Sequence, residues 1–319
     1  MATGQTNENI ATDVRPFNTD AIARAAALVA DGRPVAVPTE TVYGLAADAR
    51  NADAVARIYA AKGRPDFNPL IVHVANLAAA ERLGVFGAVD RALAARFWPG
   101  PLTLVVPRRD DCPVASIATA GLDTIAVRVP GHRAMQALLA ATGAPLAAPS
   151  ANASGGVSPT KASHVLATLE GRIALVIDDG PCAAGVESTI ARMKGGAVEV
   201  LRPGPVTADM LADASGLPVI GVTGSDIVAP GMLASHYAPG KPVRLGAVDF
   251  ADEEFGIGFG AFAGDYSLSE VGDLTEAAAR LFDALHAGAA SAKARIAVAP
   301  IPAEGLGAAI HDRLSRAAV

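Results

Sequence analysis

Residues 51–74 read NADAVARIYAAKGRPDFNPLIVHV, and they set the fold class within one helix, one loop and one strand. A helix starting near Asn51 places Val55, Ile58 and Tyr59 on a single face. Gly63 ends it, and Pro65 pushes Arg64 out of the helical region. Leu70–Val74 is then an apolar run of strand length. A helix closing on a strand through a polar loop is the repeating unit of an α/β sheet. Here the loop displays Lys62, Arg64 and Asn68, and His73 lies near the end of the strand. Loops held by a rigid strand are where chemistry is usually placed, although this loop alone would read as a solvated turn with two cations.

The alternation continues on both sides. Asn18-Thr19-Asp20 caps a helix carrying Ile22, Ala26 and Val29 that stops at Gly32, and the strand Pro34–Val37 runs into the Thr39-Glu40-Thr41 turn. Helical segments at Leu77–Leu83 and Asp90–Phe97 precede strands at Leu102–Val106 and Thr124–Val129. A helix from His132 to Ala141, which His132 caps, leads to the strand Pro145–Ala148. The loop Pro149–Pro159, a helix Thr160–Leu169 and the strand Ile173–Ile177 follow. The next two strands, Glu187–Met193 and Ala197–Leu201, succeed each other directly, so the sheet is expected to be mixed. The expected fold is α/β: a twisted mixed open sheet flanked by helices over residues 17–219, after a flexible arm at 1–16. The Gly/Pro-rich stretch 216–242 has little from which to build a core, and 220–242 reads as a linker or lid. Residues 243–319 read as a smaller α/β, Rossmann-like domain with strands at Val243–Gly246, Ile257–Phe259 and Arg295–Ala299. Its first helix opens at Asp273 with Glu276 three residues on.

Composition narrows the function classes. The 319 residues are 51% hydrophobic and 18% charged, enough for a sizeable core, but only 4% aromatic, so that core should be built of small side chains. A formal charge of −6 argues against nucleic-acid binding by bulk electrostatics while permitting a local basic cleft. Cys112 and Cys182 form neither a disulfide framework nor a metal-ligand spacing. No apolar run reaches the roughly 18 residues that span a bilayer, and the polar start of the chain lacks a signal core, so a cytoplasmic location without membrane contact is expected.

Besides the loop at 62–73, three clusters carry candidate chemistry. PTETVYGL (38–45) sets three hydroxyls and a carboxylate at the mouth of a strand. PSANASGG (149–156) is a loop of small hydrogen-bonding residues ahead of Ser158 and Thr160, where backbone amides can approach a phosphate. Arg128 shares a strand face with Thr124 and Ala126, and Arg202 follows a strand directly. Polar groups from several strand ends meeting at one edge make a ligand site in open α/β sheets. Ser158-Pro159-Thr160-Lys161 also matches the Ser-x-x-Lys of acyl-serine enzymes, but no Lys-Thr-Gly follows. Gly256-Ile257-Gly258-Phe259-Gly260 lacks the helix a dinucleotide fingerprint needs, and no Walker-type loop exists.

Taken in order, PTETVYGL, KGRPDFNPL, FWPGPLTLV, VRVPGH, APSANASG, EST and LRPG resemble the YrdC-like domain of L-threonylcarbamoyl-AMP synthases over about Phe17 to Val219. PGMLASHYAP and the closing GLGAAIHDRLSRAA resemble the long, two-domain form of that family. The resemblance implies condensation of L-threonine, bicarbonate and ATP to threonylcarbamoyl-AMP and pyrophosphate. The product would pass to the machinery that makes threonylcarbamoyladenosine in tRNA. By resemblance, Lys62, Arg64, Ser150 and Asn152 fill the catalytic Lys-x-Arg and Ser-x-Asn elements. Arg64, Asn68, Thr124, Ser150, Ser158, Arg202 and Tyr237 are the candidates for ATP. Thr41, His73, Arg128, Ala148 (through its backbone) and Ser188 are those for L-threonine. Magnesium is implied with ATP, held by water and phosphate, with no protein metal site and no organic cofactor. An RNA-binding module with a basic concave face, an acyl-serine enzyme and a carbamoyl transferase of metal-centre maturation are the alternatives.

Overall fold

The computed structural model describes residues 11–65, 68–222 and 237–318. Most of the expected linker, 223–236, lies outside the described residues. Residues 51–74 form what their sequence dictates. Asn51 caps α2 (Ala52–Lys62) by accepting from the amides of Asp53 and Ala54. Gly63, at φ 61°, closes it with a left-handed turn that costs a glycine little. The loop then delivers β4 (Ile71–His73) into the sheet.

Chain order before α2 is β1 (Asp13–Pro16), α1 (Thr19–Ala30), β2 (Val35–Pro38) and β3 (Tyr43–Asp48). After β4 come α3 (Leu77–Glu81), α4 (Ala88–Phe97), β5 (Leu102–Pro107), β6 (Thr124–Arg128), α5 (Arg133–Thr142) and β7 (Leu146–Ala147). The first unit ends with α6 (Ala162–Leu169), β8 (Leu175–Asp178), β9 (Thr189–Lys194), β10 (Ala197–Arg202), α7 (Ala208–Ser215) and β11 (Val219–Gly221). These strands make an 11-stranded sheet among the described residues, in the order β1-β8-β2-β3-β7-β4-β6-β5-β9-β10-β11. Parallel and antiparallel pairings intermix: β4 runs parallel to β6 but antiparallel to β7, and β5 is antiparallel to β6 but parallel to β9. The mixed sheet is therefore as expected.

The second unit holds β12 (Val243–Leu245), β13 (Glu254–Gly258), β14 (Tyr266–Ser267), α8 (Leu274–Ala290), β15 (Arg295–Val298) and α9 (Gly307–Ala317). Its four strands pair in parallel in the order β12-β15-β13-β14. Three caps read from the sequence form as expected: Asn18, His132 and Asp273 each accept an amide in the first turn of their helix.

The flexible arm expected at 1–16 needs correction. Asp13–Pro16 pairs in parallel with β8, because an edge strand requires only backbone groups and its exposed residues carry no apolar signature. At the other end of the sheet, β11 lies within the stretch read as linker-like and pairs with β10. Strand β3 had no strand-like alternation because it is buried on both faces, so YGLAAD shows no period of two. No helix among the described residues is long and apolar enough to cross a membrane.

The two units share one apolar boundary. Val42, Val157, Val186 and Tyr237 pack into the same buried cluster as Phe282, Leu281 and Leu314 of the second unit. Fully burying side chains of this size stabilises by about 1.5–3 kcal/mol each. The approach is close enough that a Cβ on Gly185 would sit 2.3 Å from Ala279 Cα in α8.

Candidate active site

Seven segments of the large sheet bring polar side chains to one cleft. The turn after β2 gives Thr39 and Thr41, β4 ends in His73, β6 ends in Arg128, and the segment after β7 gives Ala148 and Ser150. Glu187 and Ser188 precede β9, Arg202 ends β10, and Arg64 comes from the loop after α2. Tyr237, where the described chain resumes, completes the wall. An antiparallel bridge between Gly44 and Ser150 joins the PTETVYGL turn to the serine loop across the cleft.

One corner is organised by Arg128. It is buried beside His73, with which it is in register across β4 and β6. Nε donates to the Gly100 carbonyl at 3.1 Å and Nη1 to Thr41 Oγ1 at 2.9 Å. Thr39 Oγ1 donates to Val42 O at 2.7 Å, so the 2.8 Å contact between the two threonine hydroxyls is a donation from Thr41. Nη2 forms an ion pair with Glu40 Oε1 at 2.8 Å, yet its alignment is too poor for a hydrogen bond. Three buried polar atoms here have no hydrogen-bond partner: Arg128 Nη2, Glu40 Oε2 and His73 Nδ1. Burial, then the Arg128 charge, pushes the His73 pKa down to about 3, so its ring is neutral.

A second group surrounds the serine loop. Lys62 Nζ donates to the carbonyls of Ser150 and Asn152, both at 2.6 Å, and Ser154 N returns a bond to Lys62 O at 2.8 Å. Asn152 is turned inward, its Nδ2 donating to Ala153 O and Gly156 O. Burial and the neighbouring Arg64 charge hold the Lys62 pKa well below its ordinary value. Arg64 donates from Nη2 to Pro69 O at 3.2 Å, while its buried Nε has no partner. Burial lowers its pKa to about 10, which leaves it charged at neutral pH.

The third corner is closed by Arg202. Its Nε and Nη2 both donate to Ser188 O, and Nη2 reaches Ser188 Oγ at 3.2 Å. Ser188 Oγ in turn meets Thr103 Oγ1 at 2.8 Å. Gly204 permits this closeness, since a Cβ there would lie 2.4 Å from Thr189 N. Glu187 accepts from Ser158 Oγ at 2.5 Å and from Arg313 Nε at 2.8 Å.

The expected residues divide by role. Arg64, Ser150, Arg202, Tyr237, Thr41, His73, Arg128, Ala148 and Ser188 line one cleft. Lys62 and Asn152, expected as catalytic, stand behind it and fix the serine loop. A lysine ending a helix at Gly63 reaches the carbonyls of the loop packed against it before it reaches the cleft. Ser158 is buried against Glu187, and Asn68 is buried in the basic loop with Oδ1 unpaired. Thr124 lies at the far end of β6, on the same face as Arg128 but roughly 13 Å along at 3.3 Å per residue. Glu40 and Glu187 were not expected at the site. Glu40 stands inside PTETVYGL and was legible as a carboxylate there, whereas Glu187 is marked only by its place ahead of Ser188.

Residues 27–204 match the family described as telomere recombination, which groups Sua5, YciO and YrdC proteins. Residues 206–319 match the threonylcarbamoyl-AMP synthase C-terminal domain. The threonylcarbamoyl-AMP synthase of Bacillus subtilis is 40% identical over 331 residues, covering 96% of this chain and 95% of that protein. The chain belongs to the threonylcarbamoyl-AMP synthase family. The family member from Pyrococcus abyssi is 39% identical, with 92% of each chain covered. A crystal structure of P. abyssi Sua5 complexed with L-threonine aligns with a TM-score of 0.87 at 35% identity, covering 96% of this chain and 97% of that one. Escherichia coli YciO shares the fold of the first unit, with a TM-score of 0.52 at 20% identity over 61% of this chain.

Proposed function

We propose that the protein is an L-threonylcarbamoyl-AMP synthase, a nucleotidyltransferase that condenses L-threonine, bicarbonate and ATP into threonylcarbamoyl-AMP and pyrophosphate. The product feeds threonylcarbamoyladenosine formation in tRNA. The observation that carries this reading is the Arg128 corner, where Glu40 Oε2 and His73 Nδ1 are buried without hydrogen-bond partners and Arg128 Nη2 has only its ion pair with Glu40, beside a cleft that also holds Arg64 and Arg202. Buried polar atoms are normally paired, so such a cluster calls for a polar ligand.

Arg128 takes the threonine carboxylate on Nη2, and a planar guanidinium with Thr41 already on Nη1 fixes its orientation. Neutral His73, Thr41, Ser188 and the Ala148 backbone hold the rest of the amino acid. The threonine amine adds to the carbon of bicarbonate, and water leaves to give the carbamate. A carbamate oxygen then attacks the α-phosphorus of ATP. The bond to the bridging oxygen breaks, and pyrophosphate departs with the electron pair. Arg64, Ser150 and Arg202 face the phosphates, where charge builds on the leaving group. Ile71, Val105, Ala126, Ile190 and Leu201 pack as one buried apolar cluster that reaches the cleft at Ile71, and the nucleoside lies on that side, toward Thr124. Lys62, Asn152, Ser158 and Asn68 act through the loops they hold.

Magnesium arrives with ATP on phosphate oxygens and water. Glu187 in the cleft wall and Glu40 beside it are each ion-paired with an arginine. The catalytic unit spans 17–219, widened by β1 and β11, and 243–319 forms the second unit. Beyond β11, residues 237–242 are the described end of the segment read as a lid at 220–242, and Tyr237 in it lines the cleft.

The test is incubation with labelled bicarbonate, Mg-ATP and a panel of amino acids without RNA, scoring pyrophosphate and the labelled adenylate. Threonine-dependent release of both is expected. Salt-sensitive RNA binding with no turnover for any amino acid would overturn the reading.

A further inference from the structure

Arg313 belongs to α9, the last helix of the C-terminal unit, yet its side chain is fully buried against the cleft wall of the first unit. Nε donates to Glu187 Oε2 at 2.8 Å and Nη1 to Pro203 O at 2.9 Å. A second bond from Nη1, to Asp312 Oδ2 at 2.7 Å, anchors it to its own helix. Its guanidinium carbon stands 5.5 Å from the centroid of the Tyr237 ring, within cation–π range. The other neighbour of that ring is Phe282 of α8, with centroids 5.4 Å apart. Glu187 and Tyr237 line the cleft, and Pro203 adjoins Arg202.

These contacts answer a question that Glu187 raises. A carboxylate in the wall of a cleft for a triphosphate repels the ligand, and an unpaired buried carboxylate is costly in itself. Burial pushes the Glu187 pKa up, but the Arg313 and Arg202 charges and the Ser158 hydroxyl bring it to about 2, so it is ionised. Arg313 pairs with Glu187 and the Arg202 charge also acts on it, while Asp312 is shared between Arg313 and Arg316, so three guanidiniums meet two carboxylates, the corner stays cationic, and Arg202 keeps charge to offer. Glu187 can then hold Ser158 at 2.5 Å without cancelling the phosphate site. Tyr237 has a backbone φ of 66°, a conformation that a bulky residue holds only when its surroundings impose it. Arg313 and Phe282 are two of the groups that flank its ring.

We propose that Arg313 is a positioning residue for the nucleotide: it neutralises Glu187 and braces Tyr237 and Pro203, so that the C-terminal unit completes the ATP corner of the cleft. The proposal rests on the reading of this cleft as the ATP site. It also gives the second unit a role in the reaction beyond packing, because its cation pairs directly with a carboxylate of the first unit's cleft wall.

The test measures binding of α,β-methylene ATP with magnesium, and separately of L-threonine, to the full chain by calorimetry. Arg313→Gln leaves Glu187 charged and unpaired and is expected to weaken nucleotide binding at least tenfold, with threonine binding within threefold. Glu187→Gln added to Arg313→Gln is expected to restore nucleotide affinity to within about threefold of the parent. A purely structural role would weaken both ligands alike and would not be rescued by removing the second charge; that result overturns the proposal, as does unchanged nucleotide binding in Arg313→Gln. Should Arg313→Gln not fold, Arg313→Lys keeps the cation and loses the fork, and nucleotide binding within threefold is expected. A tenfold loss in that variant would overturn the electrostatic role. Arg202→Ala separates the two levels of the argument. If it binds nucleotide normally, the cleft is not the ATP site; if it alone loses nucleotide, only the role of Arg313 is wrong.

Discussion

At the Arg128 corner of the cleft, three buried polar atoms from Arg128, Glu40 and His73 end without hydrogen-bond partners, whereas at the Arg202 corner Arg202 bonds to Ser188, and Glu187 accepts from both Ser158 and Arg313. The first corner is made from one sheet, by neighbouring strands in fixed register and the turn beside them. The second spans the boundary between two units and draws one of its cations from a helix 126 residues distant in sequence. Leaving a buried polar atom unpaired costs about 1–3 kcal/mol. A corner that keeps three such atoms is shaped for a ligand that supplies their partners. A corner that satisfies its own groups is shaped to hold geometry and charge. The small amino acid, recognised by directed hydrogen bonds, suits the former, and the extended triphosphate, recognised largely by field, suits the latter.

The contrast can be broken most easily at Arg128. Arg128→Ala removes the guanidinium proposed to hold the threonine carboxylate, and losing charge-assisted bonds of about 3 kcal/mol should raise the threonine KM roughly 100-fold in steady-state pyrophosphate release. A matching rise in the ATP KM would merge the two corners into one. Next in size is Lys62→Ala, which strips the donor from two buried carbonyls in the serine loop. We expect a loss of about 2–3 kcal/mol in denaturant unfolding, together with a roughly tenfold rise in the ATP KM. Collapse of kcat with unchanged stability would return Lys62 to the chemistry itself.

Acidification sharpens the comparison. His73 titrates at about 3 when folded against about 6.5 when unfolded, so the unfolded chain binds the extra proton. Its contribution is therefore full above pH 6.5 and erodes by about 1.4 kcal/mol per pH unit as pH falls toward 3. Glu187, held down at about 2, contributes above about 4.5 and loses that contribution only as pH falls toward 2. Between pH 6.5 and 5 the Arg128 corner should weaken while the Arg202 corner stays intact, and His73→Gln should flatten the fall in unfolding free energy over that interval. The smallest effect belongs to a site remote from both corners. Asn18→Ala removes the α1 cap and should cost about 1 kcal/mol in thermal unfolding without altering either KM.

How much of this was legible depends on whether a residue's role is local. Asn51, Gly63, Asn18 and Asp273 act within a turn of their own helix, and the sequence reading placed them correctly because capping chemistry is short-ranged. The cleft residues at strand ends were also within reach, since Arg128 and Arg202 are charges ending apolar runs. Lys62 and Asn152 carried a motif but not its geometry. Nothing in KGR or SAN tells whether an ammonium faces substrate or ties down a loop 88 residues away. Strand β3 escaped because burial on both faces erases alternation, and β1 because an edge strand can be polar. Glu187 and Arg313 escaped for a different reason: their meaning exists only as a pair, and the pair forms across the boundary of two units.

The central claim is that a single cleft takes threonine at the Arg128 corner and the triphosphate at the Arg202 corner. Calorimetric titration of L-threonine and of Mg-α,β-methylene ATP into the Arg128→Ala and Arg202→Ala chains tests it most directly. The account predicts a crossed result, with Arg128→Ala losing threonine and keeping the nucleotide, and Arg202→Ala doing the reverse. Equal loss of both ligands in both variants, or no loss in either, would contradict it.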